Sequence, residues 1–160
     1  MIIGIVSDTH GQIEYTRRAI NVLESLDVRQ VLHCGDIGSP SIVPLFDGWP
    51  THFVFGNVDH DEQGLRSGIE AAGQSCHGRF GSLELEGRRI ALLHSDDGRR
   101  FRETIASDEW DLVCYGHTHV AEQHHEQRTL VLNPGALYRA TPHSLAVVDL
   151  PEMKATHFPV

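Results

Sequence analysis

At 160 residues and 17.8 kDa, with 40% hydrophobic and 22% charged residues, the chain falls in the ordinary globular range and is long enough for a core of its own. Thirteen Lys and Arg against 22 Asp and Glu leave a net charge of −9 with no basic run, so an extended polyanion has no surface to land on and no nucleic-acid partner is expected. Three scattered cysteines, Cys34, Cys76 and Cys114, form neither a disulfide framework nor a thiolate zinc motif. The N-terminal apolar run is too short for a leader or a membrane span, and the expectation is a soluble protein of the reducing cytoplasm.

Residues 2–7 (IIGIVS) are a continuous apolar run of strand type, and 12–26 places Ile13, Ala19, Ile20, Leu23 and Leu26 at near-helical spacing. A strand over 30–34, a short helix opened by Ser39 with Pro40 at its first position, and a strand over 51–55 complete a βαβαβ pattern, hence a parallel sheet. A weaker helix over 61–72 follows, then two apolar runs over 82–93 around Glu86-Gly87-Arg88 that read as a hairpin. After a helix over 99–107 and a strand over 111–115, strands are predicted near 120–126, 128–132, 144–149 and 155–158. The second half is therefore expected to form its own antiparallel or mixed sheet, packed face to face on the first with helices outside, as one domain over 1–160.

Six predicted strands run into polar residues of ligand type: Asp8-Thr9-His10, Gly35-Asp36, Gly56-Asn57-Val58-Asp59, His94, Gly116-His117-Thr118-His119 and Asn133-Pro134-Gly135. Each alone reads as a turn, a helix cap or a core histidine. Together they place Asp, Asn and four of the 12 histidines at strand exits, where binding sites of open α/β sheets form. Donors at i and i+2 of an extended segment project to one side, so Asp8 with His10, and His117 with His119, can serve adjacent ions. Imidazole and carboxylate without thiolate suit Mn²⁺, Fe or Zn²⁺ in mixed N/O coordination, and a bridging carboxylate, for which Asp36 is the candidate, offsets the repulsion of two close cations.

The ordered series Asp8/His10, Gly35-Asp36, Gly56-Asn57-x-Asp59, His94, Gly116-His117-x-His119 and Asn133-Pro134-Gly135 resembles the calcineurin-like metallophosphoesterases, in particular their small bacterial and archaeal phosphodiesterase branch. The resemblance implies an α/β fold, a four-layer α/β/β/α sandwich of two mixed sheets flanked by helices. It implies two divalent ions, one held by Asp8, His10, Asp36 and His119 and the other by Asp36, Asn57, His94 and His117. Mn²⁺ is the expected ion, with Fe, Zn²⁺ or Ni²⁺ as alternatives. The activity implied is hydrolysis of a small organic phosphoester, above all a phosphodiester, by a hydroxide bridging the ions, with Asp36, Asn57 and His94 in the catalytic role. Neither nucleic acid nor membrane is an expected partner, and a homo-oligomer is compatible with the composition. The rival reading is a protein-interaction scaffold, the use ascribed to a eukaryotic trafficking subunit resembling this branch.

The chain departs from the family pattern near the chemistry. Val58 stands where larger members carry a His assigned as proton donor to the leaving group, which favours diesters and good leaving groups. His60 is the nearby substitute, though it reads better as a solvated loop residue. Asp59 is expected to orient a ligand such as His10, with a turn residue as the plain alternative. Ser95 replaces a Gly, and Asp96 and Asp97 after it either point away from a phosphate or contact metal-bound water. Ala136 replaces a Ser after Asn-Pro-Gly, and His33 and Cys34 are expected to pack in the core.

Overall fold

β1 (Ile2–Val6) divides its side chains between two buried layers: Ile3 and Ile5 face one, Val6 the other. A strand covered on both faces is the expected outcome of a continuous apolar run in a parallel βαβ array. In the computed structural model, which describes residues 1–160, β1 lies inside a six-stranded sheet. Parallel to it run β2 (Gln30–His33), β3 (Thr51–Phe53) and the two-residue β4 (Ser75–Cys76), which is too short to leave a period in the sequence. The second sheet has the order β5-β6-β7-β9-β8, from β5 (Phe80–Leu85), β6 (Arg88–Leu93), β7 (Leu112–Cys114), β8 (Ala121–Glu126) and β9 (Thr129–Pro134). The turn Glu86-Gly87 between β5 and β6 has positive φ at both residues, as a tight hairpin requires.

One expectation is corrected. The last strands, β10 (Ser144–Asp149) and β11 (Lys154–Pro159), do not complete the second sheet but return to the first, where β10 pairs antiparallel with β1 and β11 with β10. The run SLAVV is apolar on both sides, and beside β1 both sides are covered: Leu145 meets the helical layer, Ala146 and Val148 the space between the sheets. Each sheet is consequently mixed.

Three apolar layers hold the sheets and helices together. Between the sheets, Ile3, Ile5, Leu32 and Val54 meet Ile90, Leu92, Leu112 and Leu132. On the outer face of the first sheet, α1 (Ile13–Glu24) contributes Ala19 and Leu23, and α2 (Glu62–Ala71), capped by Asp61, contributes Leu65 and Ile69. The segment after Ser39, Pro40–Phe46, adds Ile42, Val43 and Phe46, but as a 3-10 helix: Pro44 inside it has no N–H for an α-helical bond. On the outer face of the second sheet, α3 (Gly98–Ala106) lays Phe101 and Ile105 on Leu93, Val113 and Tyr115. The result is the expected α/β/β/α order. The C-terminal ends of β1, β2 and β3 in one sheet, and of β6, β7 and β9 in the other, are drawn to one rim: Asp8 binds the His117 N–H, His94 binds the Cys34 carbonyl, and Leu137 N–H donates to Ser7 O.

Candidate metal centre

The loops at this rim are bent in a way side chains resist. Asp8, His10, Asp36, His117 and His119 all have φ between 43° and 75°, the left-handed region that costs a non-glycine residue about 1–2 kcal/mol. Strain of this kind persists where surrounding contacts enforce it, and it concentrates at functional sites. Two glycines make the approach feasible. A Cβ at Gly56 would lie on the Asp36 carboxylate, 2.6 Å from Asp36 N and 2.7 Å from His94 Cδ2, and one at Gly116 would meet Ser7 and sit 2.8 Å from Asp8 Oδ2.

Each of the two carboxylates is satisfied on one side and bare on the other. Asp8 Oδ2 accepts from the Ser7 hydroxyl and the His117 N–H, while Oδ1 lies 3.0 Å from His119 Nε2, 3.5 Å from His10 Nε2 and 3.9 Å from His94 Nε2. Asp36 Oδ1 accepts from the Val58 N–H at 3.0 Å, and Oδ2 stands 3.2 Å from both His10 Nε2 and His94 Nε2. Asp8 Oδ1, His10 Nε2 and His94 Nε2 are buried without an aligned hydrogen-bond partner. Orphaned donor atoms of this kind are costly in a folded interior, and a cation among them removes the cost. The residues present fit divalent ions: Asp8, His10 and His119 offer donors within 4.8 Å of one another, as do Asp8, Asp36 and His94.

The histidine tautomers are also set for ligation. His94 Nδ1–H donates to the Cys34 carbonyl at 2.8 Å and His119 Nδ1–H to the Arg139 carbonyl at 3.4 Å, which turns each Nε2 toward the carboxylates as the ligating atom of the neutral ring. Burial raises carboxyl pKa values, yet the imidazoles around Asp8 and Asp36 outweigh it and hold Asp8 below, and Asp36 well below, the usual range. Burial likewise opposes protonation of His10, but the Asp36 and Asp8 carboxylates prevail and raise its pKa to about 9.

The remaining candidates separate. His117 is exposed, with its ring centroid 5.1 Å from that of His94. Asn57 is exposed on the loop that sends the Val58 N–H to Asp36. Asp59 is buried, but its partners correct the expectation of a role in orienting His10: its carboxylate accepts from the N–H groups of Ile37, Gly38 and Gly56, fastening the Asp36 loop to the Gly56 turn. His60 is exposed, as a solvated loop residue would be. Asp97 caps α3 by accepting the Arg100 N–H, and Asp96 faces Arg79 at 3.5 Å. Ser95, at φ 79°, ties its loop to the next through a hydroxyl bond to the Gly116 carbonyl.

Two supports were not foreseen. His33, buried as expected, accepts the Gly35 N–H at Nδ1 and donates from Nε2 to Thr9 Oγ1, whose hydroxyl reaches the Ile37 carbonyl, so the Asp8/His10 and Asp36 segments share one network. Burial lowers its pKa to about 4, keeping the ring neutral and this tautomer fixed. Asn133, also buried, donates to Gly116 O and Thr118 Oγ1 and so braces the His117 loop. The signal for both lay in the sequence, as polar residues inside or ending apolar strands. Elsewhere histidine serves structure: His52 bonds His77, and His143 stacks on Tyr15.

Two mixed sheets whose strand exits aim carboxylate and imidazole donors at one point define a hydrolase of the metallophosphoesterase architecture. Residues 1–153 match the family model of the calcineurin-like phosphoesterase superfamily domain, and the chain belongs to that superfamily. It is 30% identical over 138 residues to the phosphodiesterase MJ0936 of Methanocaldococcus jannaschii, covering 84% of this chain and 83% of that protein. A solved structure described as a novel archaeal phosphodiesterase superposes with a TM-score of 0.92 at 26% identity over 100% of both chains. Vps29 of Chaetomium thermophilum shares the fold alone, with a TM-score of 0.72 at 14% identity over 92% of this chain and 81% of that one.

Proposed function

We propose that this phosphoesterase hydrolyses a small organic phosphodiester with the aid of two divalent ions, Mn²⁺ in the first place, held by Asp8, His10, Asp36 and His119 and by Asp36, Asn57, His94 and His117. The observation that carries this reading is Asp36 Oδ2, which stands 3.2 Å from one imidazole of each set. Bound ions supply an acidified water as nucleophile and positive charge against the phosphoryl oxygens. The chain's own residues fix where that charge sits. Val58 N–H and the Ser7 hydroxyl hold the outer oxygens of Asp36 and Asp8 so that the inner ones face the ligands, and the Cys34 and Arg139 carbonyls hold the rings of His94 and His119. The convergence of Asp8, His10, Asp36, His94 and His119 favours catalysis over the scaffold reading. Chelation should abolish hydrolysis of bis(p-nitrophenyl) phosphate and Mn²⁺ should restore it. Metal-saturated protein that turns over neither diesters nor monoesters would contradict the reading.

The proton on His10 gives a pH signature. Its pKa is raised from 6.5 to about 9 in the metal-free fold, so a cation at neutral pH must displace that proton. Apparent metal affinity should fall about tenfold per pH unit as pH drops below 9, until other groups titrate. In the metal-free protein the same group stabilises the fold fully below pH 6.5 and loses that contribution as pH rises through about 9. Calorimetry of metal binding in buffers of different ionisation enthalpy should show release of at least one proton at pH 7. Binding heats independent of the buffer would contradict this.

Val58 supplies its backbone N–H to the site and its side chain has no proton to give. Val58→His keeps that N–H and adds a proton donor, so it should raise the monoester-to-diester rate ratio by about tenfold or more. An unchanged ratio would show that a missing proton donor is not what limits monoesters. The unpaired cysteines support a cytoplasmic setting as part of the proposal. No helix is long and apolar enough to cross a membrane.

A further inference from the structure

Two cavities flank the rim, and they differ in chemistry. The one beside His94, about 250 Å³, is charged, lined by Arg79, Asp96, Asp97 and Arg100. The one beside His119, about 410 Å³, has no Lys, Arg, Asp or Glu in its wall and is bounded by Val120, Pro142, His157, Phe158 and Pro159. Two of its polar groups are engaged by the fold itself: His157 Nε2–H donates to the Asn133 carbonyl and the Ser144 hydroxyl to Pro134 O. Val120 immediately follows His119 and is 60% exposed, the most exposed large apolar side chain of the molecule. An apolar side chain left in water next to a reaction centre gains by being covered when substrate binds.

We propose that the cavity beside His119 is the binding site for an apolar, planar ester group of the substrate, an aryl-type substituent on the phosphorus. This inference rests on the reading that phosphate binds at the Asp8/Asp36 centre. His119 belongs both to that centre and to the cavity wall, so a substituent on a phosphoryl group held there enters the cavity without further chain movement. The volume suffices, since an apolar cavity of about 150 Å³ already accepts benzene. A second phosphate is the wrong occupant, because the wall offers no Lys or Arg to replace its water. The substrate class is therefore a diester with one uncharged apolar arm directed along Val120 and Phe158, not a nucleoside polyphosphate extending on that side.

The test uses two diesters with a common p-nitrophenyl leaving group, one carrying phenyl and one methyl as the retained ester. The wild-type protein should show a KM about tenfold lower for the phenyl compound with kcat little changed. Val120→Asn, a surface change outside the metal centre, should abolish that preference and leave the methyl compound's kinetics intact. A binding measurement separates this from catalysis: methyl NMR of the Zn²⁺-loaded protein titrated with phenylphosphonate and methylphosphonate. Tighter phenylphosphonate binding with shifts at the Val120 methyls supports the site even if no ester is turned over, which would sink only the catalytic reading. Equal affinities, a phenyl preference that survives Val120→Asn, or Val120 shifts that grow with protein concentration alone and so assign the face to a second copy would each overturn the proposal.

Discussion

Asp36→Asn should strip the centre of metal and lower kcat by about 10³-fold, because it removes charge at an oxygen that stands 3.2 Å from an imidazole of each set. The substitution is nearly isosteric. The retained amide oxygen can still accept the Val58 N–H, while an NH₂ donor replaces the carboxylate oxygen that lies 3.2 Å from His10 Nε2 and His94 Nε2. An NH₂ group cannot ligate a cation, and neither ion site keeps its shared anion. Folding should survive, with a stability change of about 1 kcal/mol or less, since the backbone contact that anchors the residue persists. Metal content by mass spectrometry, read beside kcat and a urea transition, checks all three. Wild-type metal stoichiometry in the variant would refute a bridging role for Asp36.

Asp59→Ala should be the most destabilising single change near the site, by about 3 kcal/mol. Its carboxylate is the acceptor for three buried or half-buried N–H groups, those of Ile37, Gly38 and Gly56, across the two loops that leave the neighbouring strands β2 and β3. Truncation leaves those donors unpaired and frees the Asp36 loop, so metal affinity should also fall about 10- to 100-fold. Asp59→Asn, whose one amide oxygen can still accept the Ile37 and Gly56 N–H groups while its NH₂ cannot accept that of Gly38, should lie between the two proteins. A urea midpoint and metal affinity both unmoved in Asp59→Ala would show that the loop is held by other contacts.

The contrast between Asp36 and Asp59 shows what the sequence can and cannot convey. Strand exits are local features: an apolar run that ends in Asp, His or Asn is visible in a few residues, and Asp8, Asp36, His94 and His119 are brought together as their positions suggested. Which side chain supports which ligand is a matter of distances across the fold. Asp59 lies three residues from Gly56 but 22 from Ile37, and only the tertiary structure makes their N–H groups neighbours. The same limit hid the pairing of β10 with β1, since a run with two apolar faces states that it is buried but not beside what. His33 and Asn133 read as core and turn residues, and the bonds that make them braces of the rim reach other segments 15 to 24 residues away. The left-handed backbone at Asp8, His10, Asp36, His117 and His119 had no sequence mark beyond the adjacent glycines Gly11, Gly35 and Gly116.

Electron paramagnetic resonance of the metal-free protein titrated with Mn²⁺ addresses the shared carboxylate most directly. Two ions about 3.5–4 Å apart, joined through Asp36, require saturation at two per chain and the signature of an exchange-coupled pair. A spectrum of isolated ions at saturation, or an endpoint of one Mn²⁺ per chain, would mean that these ligands do not hold a coupled pair of ions.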